Sequence, residues 1–153
     1  MSHALIDVNV LLALLWPGHV GHRAAMAWFG KAGRRAWASS PLTQLGVLRL
    51  LTNPKVTQGA VSAPAALEVL ADATRHEGHE FWPLDQEVTA ALRPLCGSLT
   101  GYRQWADALL LAQAAAHGGF VVTFDSGLKE LAAGSRGGRV LLLDAGLPSA
   151  QDA

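Results

Sequence analysis

Three aspartates stand at places in the sequence where a carboxylate could do chemistry. Asp7 follows the apolar run ALI, Asp107 lies inside WADALLLA, and Asp125 follows FVVTF. Clustered carboxylates raise one another's pKa unless a divalent cation neutralises their charge. Oxygen ligands favour Mg²⁺ or Mn²⁺ over zinc. We therefore expect a Mg²⁺ or Mn²⁺ site if the fold brings these three side chains together.

Each aspartate also has a structural explanation that needs no metal. Asp7 could cap the helix that follows it, Asp107 could complement a helix dipole, and Asp125 could form a turn before Ser126 and glycine. A fourth carboxylate near a predicted strand end, Asp144, fits a turn close to the C-terminus. The choice between these explanations depends on the sequence segments around the aspartates.

The elements that position the aspartates alternate between short apolar strands and helices. We predict strands at residues 4–8, 35–40, 79–84, 120–125 and 139–144, and helices at 9–16, 19–33, 41–53, 62–78, 85–95 and 102–119, with a loop at 132–139. This alternation predicts a three-layer α/β/α domain with a mostly parallel central sheet, formed by residues 1–153 as a single domain. In such sheets, sites form at the carboxyl ends of the strands, which is where Asp7 and Asp125 fall.

Composition limits the class of protein. Half of the 153 residues are hydrophobic and 16% are charged, so a folded domain is expected. Cys96 is the single cysteine, which excludes an internal disulfide framework and a thiolate zinc cluster. The apolar run at residues 4–15 contains Asp7 and lacks a basic segment before it, unlike a signal peptide. We expect a cytoplasmic protein that does not enter the membrane.

The net charge of zero conceals an uneven distribution. No acidic residue occurs between Val8 and Leu67, whereas six cations do: Arg23, Lys31, Arg34, Arg35, Arg49 and Lys55. This pattern favours a surface that meets a polyanion or an acidic protein partner. The alternative is that charges from the two halves of the sequence interleave in space and cancel.

Four segments, in order along the chain, resemble the PIN-domain ribonucleases of the VapC toxin type. They are LIDVNVLLALL, SSPLTQLGVLRLLTNP, WADALLLAQAAAHGG and VVTFDSGL. Singly each is a weak signal, but their order and spacing across most of the chain make the resemblance specific. It implies an endoribonuclease that acts as the toxin of a toxin–antitoxin pair, with a VapB-type antitoxin as partner, and a homodimer.

The resemblance also implies roles for particular residues. Asp7, Asp107 and Asp125 would be catalytic residues that bind one or two Mg²⁺ ions, which would orient and acidify a water for attack on an RNA phosphodiester. Thr123 or Ser126 would hold the attacking water or a ligand oxygen. Asn9 would bind Asp7 or cap the first helix, and Arg49 would contact an RNA phosphate.

The sequence departs from the family pattern at Gln44. The family carries a glutamate in this helix, whereas TQLGVLRLL contains no acid, and the next carboxylate is Glu68. An amide can supply a carbonyl oxygen or hold a water, but it adds no charge. Weaker metal binding, or a PIN module that binds RNA or protein without cleaving it, would follow.

Two further interpretations of the sequence involve other chemistry. LIDVNV loosely resembles the start of haloacid-dehalogenase-like phosphohydrolases, but Asn9 stands where that family has its acid. The histidines of His19/His22 and of HEGHE at 76–80 could suggest a metal site, but the latter is not the H-E-x-x-H pattern. We expect these histidines to be exposed to solvent.

Overall fold

The computed structural model describes residues 2–135 and 138–146, and its centre is a sheet of five parallel strands. The strands are β1 (Ala4–Ile6), β2 (Trp37–Ser39), β3 (His79–Phe81), β4 (Phe120–Thr123) and β5 (Val140–Leu142). Their order across the sheet is β3-β2-β1-β4-β5. The predicted α/β fold with a parallel sheet is confirmed, and β1 occupies its centre.

Helices cover both faces of this sheet. They are α1 (Val8–Leu15), α2 (His22–Lys31), α3 (Pro41–Leu51), α4 (Pro54–Thr57), α5 (Ala63–Thr74), α6 (Val88–Leu92), α7 (Trp105–Ala116) and α8 (Ser126–Ala133). Within the described residues, no helix is long and apolar enough to cross a membrane.

Most predicted helices extend a few residues beyond the observed ones, and three differences are larger or of another kind. The helix expected from Asp85 begins at Val88, because the backbone of Glu87 is still extended. Helix α8 was not predicted, because part of it was assigned to the loop at 132–139. The helix predicted at 41–53 was expected to stop before Pro54. Pro54 in fact opens a second, short helix, α4, whose first turn is capped by Asn53.

Two apolar cores lie on opposite faces of the sheet. On one face, Ile6 and Trp37 pack with α1, α3 and α5. On the other, Leu5 and Ala38 pack with α6, α7 and α8. Because successive strand residues point to opposite faces, β1 contributes to both cores, which explains its continuous apolar sequence.

A close approach between α1 and α3 depends on Gly46. A Cβ added at Gly46 would lie 2.5 Å from Cγ2 of Val8, the residue that directly follows Asp7. Side chains cannot approach so closely, so the absence of a side chain at position 46 sets the distance between the two helices. The packing of α3 thereby helps to fix the start of α1 at the carboxyl edge, the edge where the parallel strands end.

We predict that Gly46→Ala destabilises the protein by about 1–3 kcal/mol, because the added methyl group overpacks the α1–α3 contact. Urea denaturation measures the change. Gly30→Ala is the matched control, since a Cβ at that helical position meets nothing within 4 Å. The control should be neutral or stabilising by about 0.5–1 kcal/mol. Equal stability of both variants would contradict the packing argument.

Candidate functional site

Asp7 is the most deeply placed carboxylate at the carboxyl edge. It is 7% exposed and follows the last residue of the central strand. Its side chain caps α1 by accepting a hydrogen bond from the backbone N–H of Val8 at 2.7 Å. The Thr123 hydroxyl, at the end of the neighbouring strand β4, donates to Oδ2 of Asp7 at 2.6 Å. Both carboxylate oxygens are therefore held in place by separate elements.

Thr123 joins two of the predicted site aspartates. Besides donating to Asp7, its hydroxyl oxygen accepts a 3.0 Å hydrogen bond from the backbone N–H of Asp125. Thr123 is fully buried. The geometry thus gives Thr123 an orienting role toward Asp7, which agrees with the second of the two roles that the resemblance offered, that of holding a ligand oxygen.

Asp125 begins α8 and is exposed. Its Oδ1 accepts a hydrogen bond from the backbone N–H of Gly127 at 2.8 Å. Asp125 therefore caps a helix at the place where the sequence suggested a turn. The capping role does not preclude a second one, because the same side chain lies close enough to influence the ionisation of both other aspartates.

Asp107 lies in the first turn of α7 and is half-buried. Its pKa is raised from 3.8 to about 6, first by burial and then by the negative charges of Asp7 and Asp125. The pKa of Asp7 is also raised: burial outweighs the opposing hydrogen bonds from Thr123 and Val8, and the charge of Asp125 adds to the rise. The three predicted site aspartates are thus mutually repelling neighbours.

No basic side chain of the protein compensates this negative charge within the described residues. The ion pairs there join Arg75 with Asp72 and His3 with Glu80. Among the same residues, no three His, Cys, Asp or Glu side chains are close enough to hold a metal ion as they stand.

Gln44 is held by Ser39, a residue that the sequence pattern did not single out. Its Nε2 donates to the hydroxyl of Ser39 at 2.9 Å, and that hydroxyl lies 2.8 Å from Nε2 of His79. Ser39 is fully buried at the end of β2. The serines that close the apolar segment WASS were the available signal, because a strand's carboxyl end is where sites form.

Two predictions about neighbouring residues are wrong. Asn9 neither binds Asp7 nor caps the first helix, because Asp7 itself is the cap. The Asn9 Oδ1 instead accepts a 3.4 Å hydrogen bond from the backbone N–H of Phe124. The histidines are not uniformly exposed. His19, His22 and His79 are partly buried, and of the two histidines in HEGHE only His76 is exposed.

The remaining predicted contacts lie on the surface. Ser126 is exposed at the start of α8, and in the described part of the chain no hydrogen bond joins its side chain to Asp7. Arg49 lies in the last turn of α3, about 7.5 Å further along the helix axis than Gln44. The six cations of the acid-free segment are all exposed, and none forms an ion pair within the described part of the chain.

Comparison with known proteins identifies relatives over most of the chain. Residues 4–134 match the PIN domain family model. Ribonuclease VapC39 of Mycobacterium tuberculosis is 40% identical over 129 residues, covering 84% of this chain and 93% of that protein. Ribonuclease VapC44 of the same species is 42% identical over 130 residues, covering 82% and 87%. That residues 1–153 form a single domain stays a prediction.

Solved structures show the same fold. VapBC2 from Rickettsia felis, in complex with a DNA fragment from its promoter, superposes with a TM-score of 0.63 at 12% identity, covering 92% of this chain and 98% of that chain. FitAcB from Neisseria gonorrhoeae gives a TM-score of 0.58 at 23% identity, covering 90% and 96%. A haloacid-dehalogenase-like fold is thereby set aside. With the extensive identity to VapC ribonucleases, these matches show that the chain belongs to the PIN domain family, in its VapC group.

Proposed function

We propose that the protein is a metal-dependent endoribonuclease, the toxin of a VapBC-type pair, that hydrolyses RNA phosphodiester bonds with Mg²⁺ or Mn²⁺. The observation that carries the proposal is the set of Asp7, Asp107 and Asp125 at the carboxyl edge, with raised pKa values at the first two and no compensating cation from the described chain. The ribonuclease names of the VapC relatives support RNA as the substrate.

The donor set fits a hard divalent cation. Carboxylate oxygens from three elements can approach one ion once its charge offsets their repulsion, and such ligands suit Mg²⁺ or Mn²⁺. When bound, such an ion lowers the pKa of a water and stabilises negative charge on the phosphate. Asp7, Asp107 and Asp125 would hold it, with Gln44 as a neutral contributor from α3.

The chain's own residues prepare this site. Thr123 and the N–H of Val8 lock the Asp7 carboxylate in one orientation, so that it need not be ordered when the cation arrives. The exposed cations of residues 23–55 offer a positive surface to the RNA backbone, with Arg49 as the proposed phosphate contact. Asn9 supports the site through the backbone of Phe124, and Ser126 stays a proposed neighbour of the water.

We further propose a VapB-type antitoxin as partner and a homodimer as the resting assembly. The antitoxin follows from the VapC group to which the chain belongs.

A toxin that cleaves RNA acts where RNA is translated, and the single, exposed Cys96 suits a reducing compartment, so we assign the protein to the cytoplasm. Co-purification with the product of an adjacent small reading frame, with loss of RNA cleavage, tests the partner. Light scattering at micromolar concentration tests the dimer.

Substitution of the aspartates tests the proposed reaction. We expect Asp7→Asn and Asp107→Asn each to abolish Mn²⁺-dependent RNA cleavage. Without metal, the melting temperature should stay unchanged or rise, because a like-charge repulsion is removed. Asp72→Asn is the control and should keep activity, because Asp72 is an exposed carboxylate of α5 whose ion-pair partner is Arg75. Full cleavage by either site variant would refute the assignment, and RNA binding without any cleavage by the wild type would identify a non-catalytic module.

The raised pKa of Asp107 predicts how stability depends on pH. In the folded protein the group holds its proton up to about pH 6, whereas in the unfolded chain it releases it near 3.8. The folded state therefore binds more protons in this window, so the contribution of Asp107 to stability is lost as pH rises from about 4 to 6.

Thermal unfolding in the presence of a chelator measures this effect. The measured quantity is the melting temperature of Asp107→Asn minus that of the wild type. This difference should be larger at pH 7 than at pH 4.5, since only the wild type loses stability across the window. Added Mn²⁺ at pH 7 should reverse the order, because the cation offsets the carboxylate charge in the wild type. A difference between the two proteins that is independent of pH would contradict the raised pKa.

A further inference from the structure

We infer that Ser39 and His79 form a positioning unit that holds the Gln44 amide with its carbonyl oxygen directed away from Ser39, as a neutral oxygen ligand for the cation. The inference rests on the proposed function, and it assigns residues to that site which carry no charge themselves. It also gives a physical reason why a glutamine, and not a glutamate, can serve at this position of α3.

The first step is location. Leu5 of β1 pairs with Ala38 of β2, so Ser39 lies beside Ile6, one residue before Asp7. Adjacent strands are about 4.8 Å apart. The side chain of Gln44 reaches Ser39 from the first half of α3, so it ends beside the strand position that precedes the central carboxylate.

The second step is the direction of the hydrogen bonds. The serine hydroxyl has one proton to donate, and its oxygen contacts both Gln44 and His79. Nε2 of Gln44 donates to the serine oxygen, so the serine proton is left for a second partner. In the His79 tautomer that carries its proton on Nδ1, Nε2 is an acceptor 2.8 Å from that hydroxyl. The Ser39 proton then goes to His79.

The third step follows for the amide. Because the Ser39 proton is engaged by His79, the serine oxygen can only accept from Gln44. The NH₂ group must therefore face Ser39, and the carbonyl oxygen faces away from it. A glutamate at position 44 would present an acceptor to an oxygen that has no proton left, which disfavours a carboxylate there.

The environment of His79 suits a fixed orientation. Its ring packs against Trp37 with centroids 4.4 Å apart, and the charged or titratable groups near it are Glu80 and His76. Burial lowers its pKa, so the neutral ring that accepts from Ser39 persists at neutral pH. Ser39 itself is fully buried, so water does not compete for its hydroxyl.

Ser39→Ala tests the inference, with Mn²⁺ affinity measured by calorimetry on the full chain. We expect affinity to fall about three- to tenfold, the effect of losing one orienting hydrogen bond. In a Gln44→Leu background the same substitution should change affinity no further, because Ser39 acts through the amide. His79→Phe, which keeps an aromatic ring against Trp37, should lower affinity in the same direction, and it provides a second test if Ser39→Ala unfolds.

Ser40→Ala is the matched control. Its hydroxyl is equally buried on the adjacent residue and, among the described residues, bonds neither Gln44 nor His79, so its removal should leave Mn²⁺ affinity unchanged. The positioning role would be overturned if Ser39→Ala kept wild-type Mn²⁺ affinity, or if the substitution lowered affinity equally in the wild-type and Gln44→Leu backgrounds. Either result would leave the proposed nuclease intact. A different result would overturn the proposed function, and the inference with it: that the wild type shows no Mn²⁺ binding which Asp7→Asn abolishes.

Discussion

The hydrogen bond from Thr123 to Asp7 ties the central strand of the sheet to its neighbour at the point where chemistry is proposed. It bridges residues 116 positions apart, and it holds a carboxylate that is almost completely removed from water. Burial of a charge is unfavourable, and the threonine hydroxyl with the N–H of Val8 offsets only part of that cost. The rest of the fold, from the β1–β4 pairing to the α1–α3 contact at Gly46, keeps this carboxylate where it is.

The carboxyl edge therefore stores electrostatic strain. The charge of Asp125 adds to the raised pKa of Asp7, the charges of Asp7 and Asp125 add to the raised pKa of Asp107, and the described chain supplies no basic side chain against them. A protein selected for stability alone would place a lysine or arginine there. The arrangement makes sense if the missing positive charge arrives from solution, which couples folding stability to metal binding.

Much of the fold could be predicted from the sequence because apolar runs and helical periods are local signals. The strand at Ala4–Ile6 and the helices α5 and α7 all follow from such signals. Asp7 and Asp125 could be placed at one edge because strand ends coincide in a parallel sheet. The start of α6 was misplaced because Asp85 looks like a cap, whereas the backbone stays extended through Glu87.

What the sequence could not predict are interactions between segments. The role of Thr123 depends on the register of β1 against β4, and the contact of Gln44 with Ser39 depends on how α3 leaves β2. Ser39 and His79 are 40 positions apart and belong to no recognisable motif, so only their pairing in the sheet brings them together. Asn9 was misassigned for the same reason, since its partner is the backbone of Phe124.

The position of β1 in the sheet has a consequence for the newly made protein. Asp7 leaves the ribosome 116 positions before Thr123, and β4 must pair with β1 before the two side chains meet. A nascent chain that has not yet reached β4 therefore contains no assembled centre. The proposed chemistry cannot begin while the β4 segment is still being synthesised.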